Sequence, residues 1–156
     1  MITQTSVQTR RFGAIEVTPE DVITFPDGLL GFPECTRFVV IRHKEGSPFR
    51  WLQSVQHPEL AFLIVDPVHL VPDYAPLMEE QVADDLGLTE GTPRLVYTIV
   101  TIPPGNPQAM TLNLAGPIVI NGVTRIARQL VLTDERYGTK HGVCDQPDHA
   151  GESDAA

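Results

Sequence analysis

The chain has 156 residues, with eleven Lys and Arg set against twenty Asp and Glu, for a formal charge of -9 at pH 7. That balance argues against a binder of bare nucleic acid or anionic lipid, both of which demand a basic surface to displace counterions. With 42% hydrophobic and 20% charged residues the chain is globular rather than disordered, and its length fits one domain with a real core. Fourteen Pro and twelve Gly favour many short elements over long helices.

In chain order, the opening Met-Ile-Thr-Gln-Thr-Ser-Val-Gln-Thr-Arg-Arg-Phe-Gly has no apolar stretch of the export-signal kind, and no later run approaches membrane-spanning length. A soluble, cytoplasmic protein is the expectation. Short apolar runs then recur at 22–25, 38–41, 61–65, 95–102, 111–115, 118–120 and 129–132, rich in Val and Ile as strands are. The run Ala61-Phe-Leu-Ile-Val65 is apolar throughout, which predicts burial of both faces. Thr111-Leu-Asn-Leu114 alternates and so directs Leu112 and Leu114 to the core. One segment, 77–86, reads as helix: Met78, Val82 and Leu86 share a stripe, Glu79, Glu80, Asp84 and Asp85 face water, Pro76 suits the first helical position, and Gly87 suits the stop. The fold class predicted is mostly β, a curled or closed sheet with one short helix. Residues 1–143 form the domain, and 144–156, without a large apolar residue beyond Cys144, form a disordered acidic tail.

Few residues carry chemistry. The five histidines, His43, His57, His69, His141 and His149, are scattered singly. Asp66, His69 and Asp73 have metal-ligand character, but Pro67 and Pro72 oppose the helix that would converge them, and a turn after the strand accounts for Asp66-Pro67. No Gly-x-Ser-x-Gly elbow surrounds any serine, and Asp27-Gly28 is turn chemistry, since no phosphate-loop spacing or following Lys accompanies it. Cys35 and Cys144 read as two reduced thiols, neither with a Cys or His at ligand spacing. These observations predict no catalytic residue, no metal and no cofactor. The alternative from another class is a small-molecule-binding β-barrel, or a hydrolase built on Asp66, His69 and Asp73.

Charge distribution is more informative. Between Arg50 and Arg94 stand Glu59, Asp66, Asp73, Glu79, Glu80, Asp84, Asp85 and Glu90 without a single Lys or Arg. Such a stretch is either a solubilising surface or a docking face for a basic partner. Arg125, Arg128, Arg136 and Lys140 form a smaller positive cluster, diluted by Asp134 and Glu135, that suits charged positions on an edge strand.

Several blocks resemble one family in order. They are Phe12-Gly-x-Ile-x-Val17, Ile23-Thr-Phe-Pro-Asp-Gly-Leu-Leu-Gly-Phe32, Phe49-Arg-Trp-Leu-Gln-Ser54, Leu60-Ala-Phe-Leu-Ile-Val-Asp-Pro67, Pro72-Asp-Tyr74, Val100-Thr-Ile-Pro103, Met110-Thr-Leu-Asn-Leu114 and Ala115-Gly-Pro-Ile-Val-Ile-Asn121. On these residues the chain resembles the bacterial flagellar assembly factor FliW family over roughly residues 12 to 141. The resemblance implies a compact, mostly antiparallel, β-barrel-like domain with one small helical insertion and no catalysis. It implies two partners: CsrA, an RNA-binding translational repressor that is antagonised without occupation of its RNA surface, and flagellin, which competes for the same protein. Within the blocks Trp51, Phe62, Ile64 and Ile99 are expected inside, and Tyr74 and Asn121 at the surface. The partner-binding residues expected on this reading are Asp73, Tyr74, Glu79, Glu80, Asp84, Asp85 and Asn121.

Overall fold

Apolar runs too short for helices, punctuated by Gly and Pro, leave the backbone one economical way to satisfy its polar groups, which is to pair them between neighbouring strands. The computed structural model describes residues 5–42 and 44–143, so Cys144, His43, His149 and the expected tail fall outside the described residues. Strands β1 (Thr5–Thr9) and β2 (Gly13–Val17) form an antiparallel hairpin. Its turn is fastened by Thr9, whose hydroxyl donates to the Gly13 carbonyl at 2.7 Å and accepts the Phe12 N–H at 2.8 Å. Val7 and Val17 bury against Val39.

Strands β3 (Ile23–Thr24), β4 (Arg37–Arg42), β5 (Phe49–Ser54) and β6 (Ala61–Val65) follow as an antiparallel meander. The chain then leaves the sheet, passes through helix α1 (Glu80–Asp85), and returns as the long β7 (Arg94–Thr101). The remaining strands are β8 (Thr111–Leu112), β9 (Ile118–Asn121), β10 (Ala127–Gln129) and β11 (His141–Gly142). The main sheet runs β10-β9-β7-β6-β5-β4-β3, with β8 on β7 and β11 on β8. Strand β7 changes partner along one edge: residues 94–97 pair with β9 and 100–101 with β8, while Thr98 and Ile99 meet β6 on the other.

The expected mostly β fold with one short helix is therefore what the chain adopts, and the sheet is curled without being a closed barrel. Among the described residues its two ends meet at Thr24, whose N–H donates to the Arg125 carbonyl at 2.9 Å in an isolated parallel bridge to Ile126. Arg125 takes φ 63° to make this approach. Inside the curl lie Ile23, Phe25, Phe38, Leu52, Ile64, Ile118 and Ile120, with Phe25 and Phe38 edge to face at 5.4 Å. Val65, Tyr74, Leu112 and Leu114 form a second cluster, so Ile64 and Val65 of β6 do bury opposite faces as their sequence predicts. Phe62 and Ile99 pack against the core as expected; Trp51 is only half-buried, with the Phe12 ring edge at 6.3 Å and the Arg11 guanidinium 4.0 Å above it.

The boundaries differ in instructive ways. Helix α1 starts at Glu80 rather than at residue 77, because Glu79 is extended (ψ 146°) and its carbonyl accepts the first helical N–H groups, from Val82 and Ala83. Gly87 ends it at φ 70° as predicted. Strand β10 stops at Gln129 rather than at residue 132. Leu130 and Leu132 still donate to the Pro117 and Ala115 carbonyls, but Pro117 has no N–H to return. The hairpin β1–β2 and strand β5 escape apolar-run reading because Ser6, Gln8, Arg50, Gln53 and Ser54 interrupt the pattern. In β5 the buried Gln53 and Ser54 instead organise the next turn. The Gln53 amide donates to the Leu60 carbonyl at 3.2 Å, and the Ser54 hydroxyl accepts the Gln56 and His57 N–H groups.

Gly28, in the turn after β3, combines φ 70° with a place where a Cβ would sit 2.5 Å from the Pro33 carbonyl oxygen. Gly13 has nearly the same φ, 71°, with nothing within 4 Å. The substitution Gly13→Ala is expected to cost about 1–2 kcal/mol, the left-handed penalty alone. Gly28→Ala adds the clash and is expected to cost about 1–3 kcal/mol more, a difference read directly from paired urea melts.

Candidate partner-docking site

Residues 66–93, between β6 and β7, carry most of the acidic stretch, and the question is what fixes them to the sheet. Asp66 leaves β6 by accepting the Val68 N–H at 3.1 Å and so caps the single 3-10 turn Pro67–His69. This local role explains Asp66 without a metal. Among the described residues the His, Cys, Asp and Glu group with all ligand atoms within 4.8 Å is Glu34, Cys35 and His57, so Asp66, His69 and Asp73 do not converge as a ligand set.

Two polar side chains then fasten the excursion, and both correct an expectation. Tyr74, expected at the surface, is 6% exposed; its phenol donates to the Leu114 carbonyl at 2.6 Å, and its ring meets Tyr137 edge to face at 4.6 Å. The Tyr137 hydroxyl in turn accepts the Ala75 N–H at 3.0 Å. Asn121, also expected at the surface, is 1% exposed. Its amide nitrogen donates to the Leu86 carbonyl at 2.8 Å at the end of α1, while its amide oxygen accepts the Val123 and Thr124 N–H groups. Each is buried with its polar atoms hydrogen-bonded to backbone groups of the interior.

Held in this way, α1 lays Val82, Ala83 and Leu86 on the sheet, where they and Met78 join Leu88, Val119 and Leu130 in a third cluster. Val82 and Leu86 follow the expected stripe, Met78 joins the same cluster from the extended approach before the helix, and the opposite face of α1 carries the charge. Glu79, Glu80, Asp84 and Asp85 are all exposed, as is Asp73 farther back along the excursion. Asp85 is partly neutralised by Arg128 at 3.3 Å and accepts from Gln81 at 2.9 Å. Among the described residues the other ion pair is Arg136–Asp134 at 2.7 Å. Hydrogen bonds from Arg136 hold the Asp134 carboxyl below its usual range, so it stays charged at any neutral pH.

Beside the helix lies a feature that the sequence did not disclose. A groove of about 590 Å³ runs between the Asp27-Gly28 turn, the approach to α1 and the chain after β10. Leu30, Leu77 and Val131 line it and are 53%, 82% and 70% exposed. Apolar side chains that open to water beside charged ones make this groove a candidate docking surface. The charged residues here are Asp27, Glu79, Asp134 and Arg128, with Asp134 paired to Arg136. Gln129 ties one wall of the groove to the other, its amide oxygen accepting the Leu30 N–H at 3.0 Å, while its nitrogen anchors to the Gly116 carbonyl behind the groove, also at 3.0 Å. Leu77 sits outside the helical stripe and Val131 beyond the last paired strand residue, so neither carried a periodic signal; only the fold makes them neighbours.

Comparisons with known proteins bear on the whole chain. The family described as FliW protein matches residues 5–143. The "Flagellar assembly factor FliW" of Geobacter sulfurreducens is 42% identical over 141 residues, covering 90% of this chain and 87% of that protein. The proteins of the same name from Moorella thermoacetica and Leptospira biflexa are 39% and 36% identical, covering 86% and 88% of this chain and 85% and 90% of their own lengths. A solved structure described as "Crystal structure of the flagellar assembly factor FliW" superposes with a TM-score of 0.83 at 32% identity, over 92% of this chain and 99% of that one.

Burial pushes the Tyr74 phenol above its ordinary value of 10.0, chiefly by desolvation and secondarily through Tyr137. A folded-state value above the unfolded one means stability that is fully present below about pH 10 and is lost as pH rises beyond it. The substitution Tyr74→Phe is expected to cost about 1–3 kcal/mol at pH 7 and to make the alkaline loss shallower, as measured by urea melts from pH 7 to 11. A loss of equal steepness would separate Tyr74 from that titration.

Proposed function

The chain belongs to the FliW family, and from that premise we propose that it is a cytoplasmic, non-enzymatic regulator of flagellar assembly that antagonises CsrA and alternatively binds flagellin. The coupling needs only that the two complexes exclude one another with comparable affinity. Accumulated flagellin then occupies the protein and leaves CsrA free to repress, and export of flagellin reverses this. No reacting group is required. The buried Cys35 fits a non-catalytic reading, since desolvation, aided by Glu34, raises the thiol above its ordinary value and keeps it protonated.

The observation that carries the proposal is the apolar groove beside the acidic face of α1. We place the docking surface there, with Leu30, Leu77 and Val131 as contacts and Glu79, Glu80, Asp84 and Asp85 as the charged flank. Asp73 adds to the same negative field from the excursion. An RNA-binding partner carries excess positive charge, so this field steers its encounter whether or not the RNA surface itself is contacted. Of the residues first expected to bind, Tyr74 and Asn121 act here only by holding the surface in place.

Titration calorimetry against CsrA, against flagellin, and against each with the other already bound tests the switch. Binding to both with mutual exclusion is expected; simultaneous binding overturns it. At the surface itself, the double substitution Glu80→Lys and Asp84→Lys is expected to slow association with CsrA about tenfold or more at low salt. The difference should shrink as NaCl approaches 0.5 M, because exposed charges are screened within several ångströms there. Leu77→Asp with Val131→Asp should instead shorten the lifetime of the complex while leaving the thermal melt unchanged, since both residues are exposed. Unaltered rates in both variants would place docking elsewhere.

A further inference from the structure

Cys35 sits in the connection between β3 and β4, and His57 lies 22 positions later in the connection between β5 and β6. The fold fixes these two connections against each other. The Gln56 side-chain oxygen accepts the Thr36 and Arg37 N–H groups at 2.9 and 3.3 Å, and the Val55 N–H donates to the Arg37 carbonyl at 2.9 Å. The Ser54 hydroxyl accepts the His57 N–H at 2.9 Å, and the Cys35 N–H donates to the Phe32 carbonyl at 3.0 Å. As a result one ligand atom each from Glu34, Cys35 and His57 lies within 4.8 Å of the others, with the Cys35 Sγ 3.9 Å from a Glu34 oxygen.

We propose that Glu34, Cys35 and His57 form a binding site for a single thiophilic divalent cation, with Zn²⁺ as the ion whose size and ligand preference fit, independently of the partner-docking surface. A tetrahedral Zn²⁺ with bonds of about 2.0–2.3 Å to sulfur, nitrogen and oxygen spaces its ligands roughly 3.3–3.8 Å apart. The set needs to contract by up to about 1.5 Å. Glu34 supplies that movement because its side chain is exposed, whereas the 1% exposed Cys35 and half-buried His57 stand on pinned backbone. One sulfur, one imidazole and one carboxylate form a set that favours Zn²⁺ over Mg²⁺ or Ca²⁺, which want oxygen alone. The negative field of Glu34 and Glu59, which opposes ionisation of the Cys35 thiol, equally attracts a dication, and binding releases the thiol proton to solvent. A cation here ties two connections of the meander together at the edge of the main core cluster, in which Cys35 is a member.

Co²⁺ added to the full chain under reducing conditions is the probe. One equivalent is expected to give a thiolate-to-cobalt charge-transfer band and tetrahedral visible bands, both erased by one equivalent of Zn²⁺. Cys144→Ser should leave the spectrum unchanged. Cys35→Ser should abolish the charge-transfer band, and His57→Gln should weaken Co²⁺ affinity at least about tenfold. Because Cys35 is a core residue and its variant can fail to fold, the half-exposed His57→Gln carries the decision on its own. No charge-transfer band in the unaltered chain, its loss in Cys144→Ser, or unchanged affinity in His57→Gln each overturns the site.

Discussion

Strand β7 has more ladder positions than any one neighbour can use, and the rest of the molecule is arranged around that mismatch. Its first half pairs with β9 and its last two residues with β8, while β6 occupies the opposite edge only at Thr98 and Ile99. A strand that changes partner must let its neighbours diverge, so the sheet curls and splits its interior. The Phe25–Phe38 cluster fills the curl, and the Val65–Leu114 cluster lies beyond the divergence. The curl brings β3 round to β10, where among the described residues Thr24 reaches across. With strands this short, the right-handed twist does not carry the ends far enough together to close a ladder.

A sheet split in this way leaves interior carbonyls that no strand can satisfy. Leu114 lies past the end of β8 and Leu86 past the end of α1, and both are buried. Side chains reach in from distant parts of the chain to meet them: the Tyr74 phenol to Leu114 and the Asn121 amide to Leu86. An unmet buried acceptor costs about 1–3 kcal/mol, so these two contacts are fastenings of the excursion and hold its acidic helix.

The surface that results separates two physical tasks. In the proposed docking, long-range attraction is assigned to carboxylates on the outer face of α1, which need not touch a partner to accelerate its arrival. Residence in that docking is assigned to the groove, where Leu30, Leu77 and Val131 are exposed. Helix α1 serves both, since its inner stripe secures it to Val119 and Leu130 and its outer face carries the charge. The Glu34–Cys35–His57 cluster shares none of these residues, so a cation there would act on the meander and leave the docking surface as it is.

The sequence by itself determined the local terms. Period-two alternation in Thr111–Leu114, the apolar Ala61–Val65, the stripe of Met78, Val82 and Leu86, and Gly87 at the helix stop each describe preferences that a residue and its near neighbours settle alone. Charge is equally local to read, so the acidic excursion was visible before any coordinates. Everything that required residues distant in sequence was decided by tertiary structure. Tyr74 and Asn121 look like surface residues until the carbonyls they serve are placed beside them. Gln53 and Ser54 read as interruptions of a strand until a turn is seen to close over them. The groove joins residues near 30, 77 and 131, and the cation cluster joins 34 and 35 to 57; no window along the chain contains either. The division follows from range: backbone preference and amphipathicity act over a few residues, whereas burial, hydrogen-bond satisfaction and the convergence of ligands depend on which segments the curled sheet brings together.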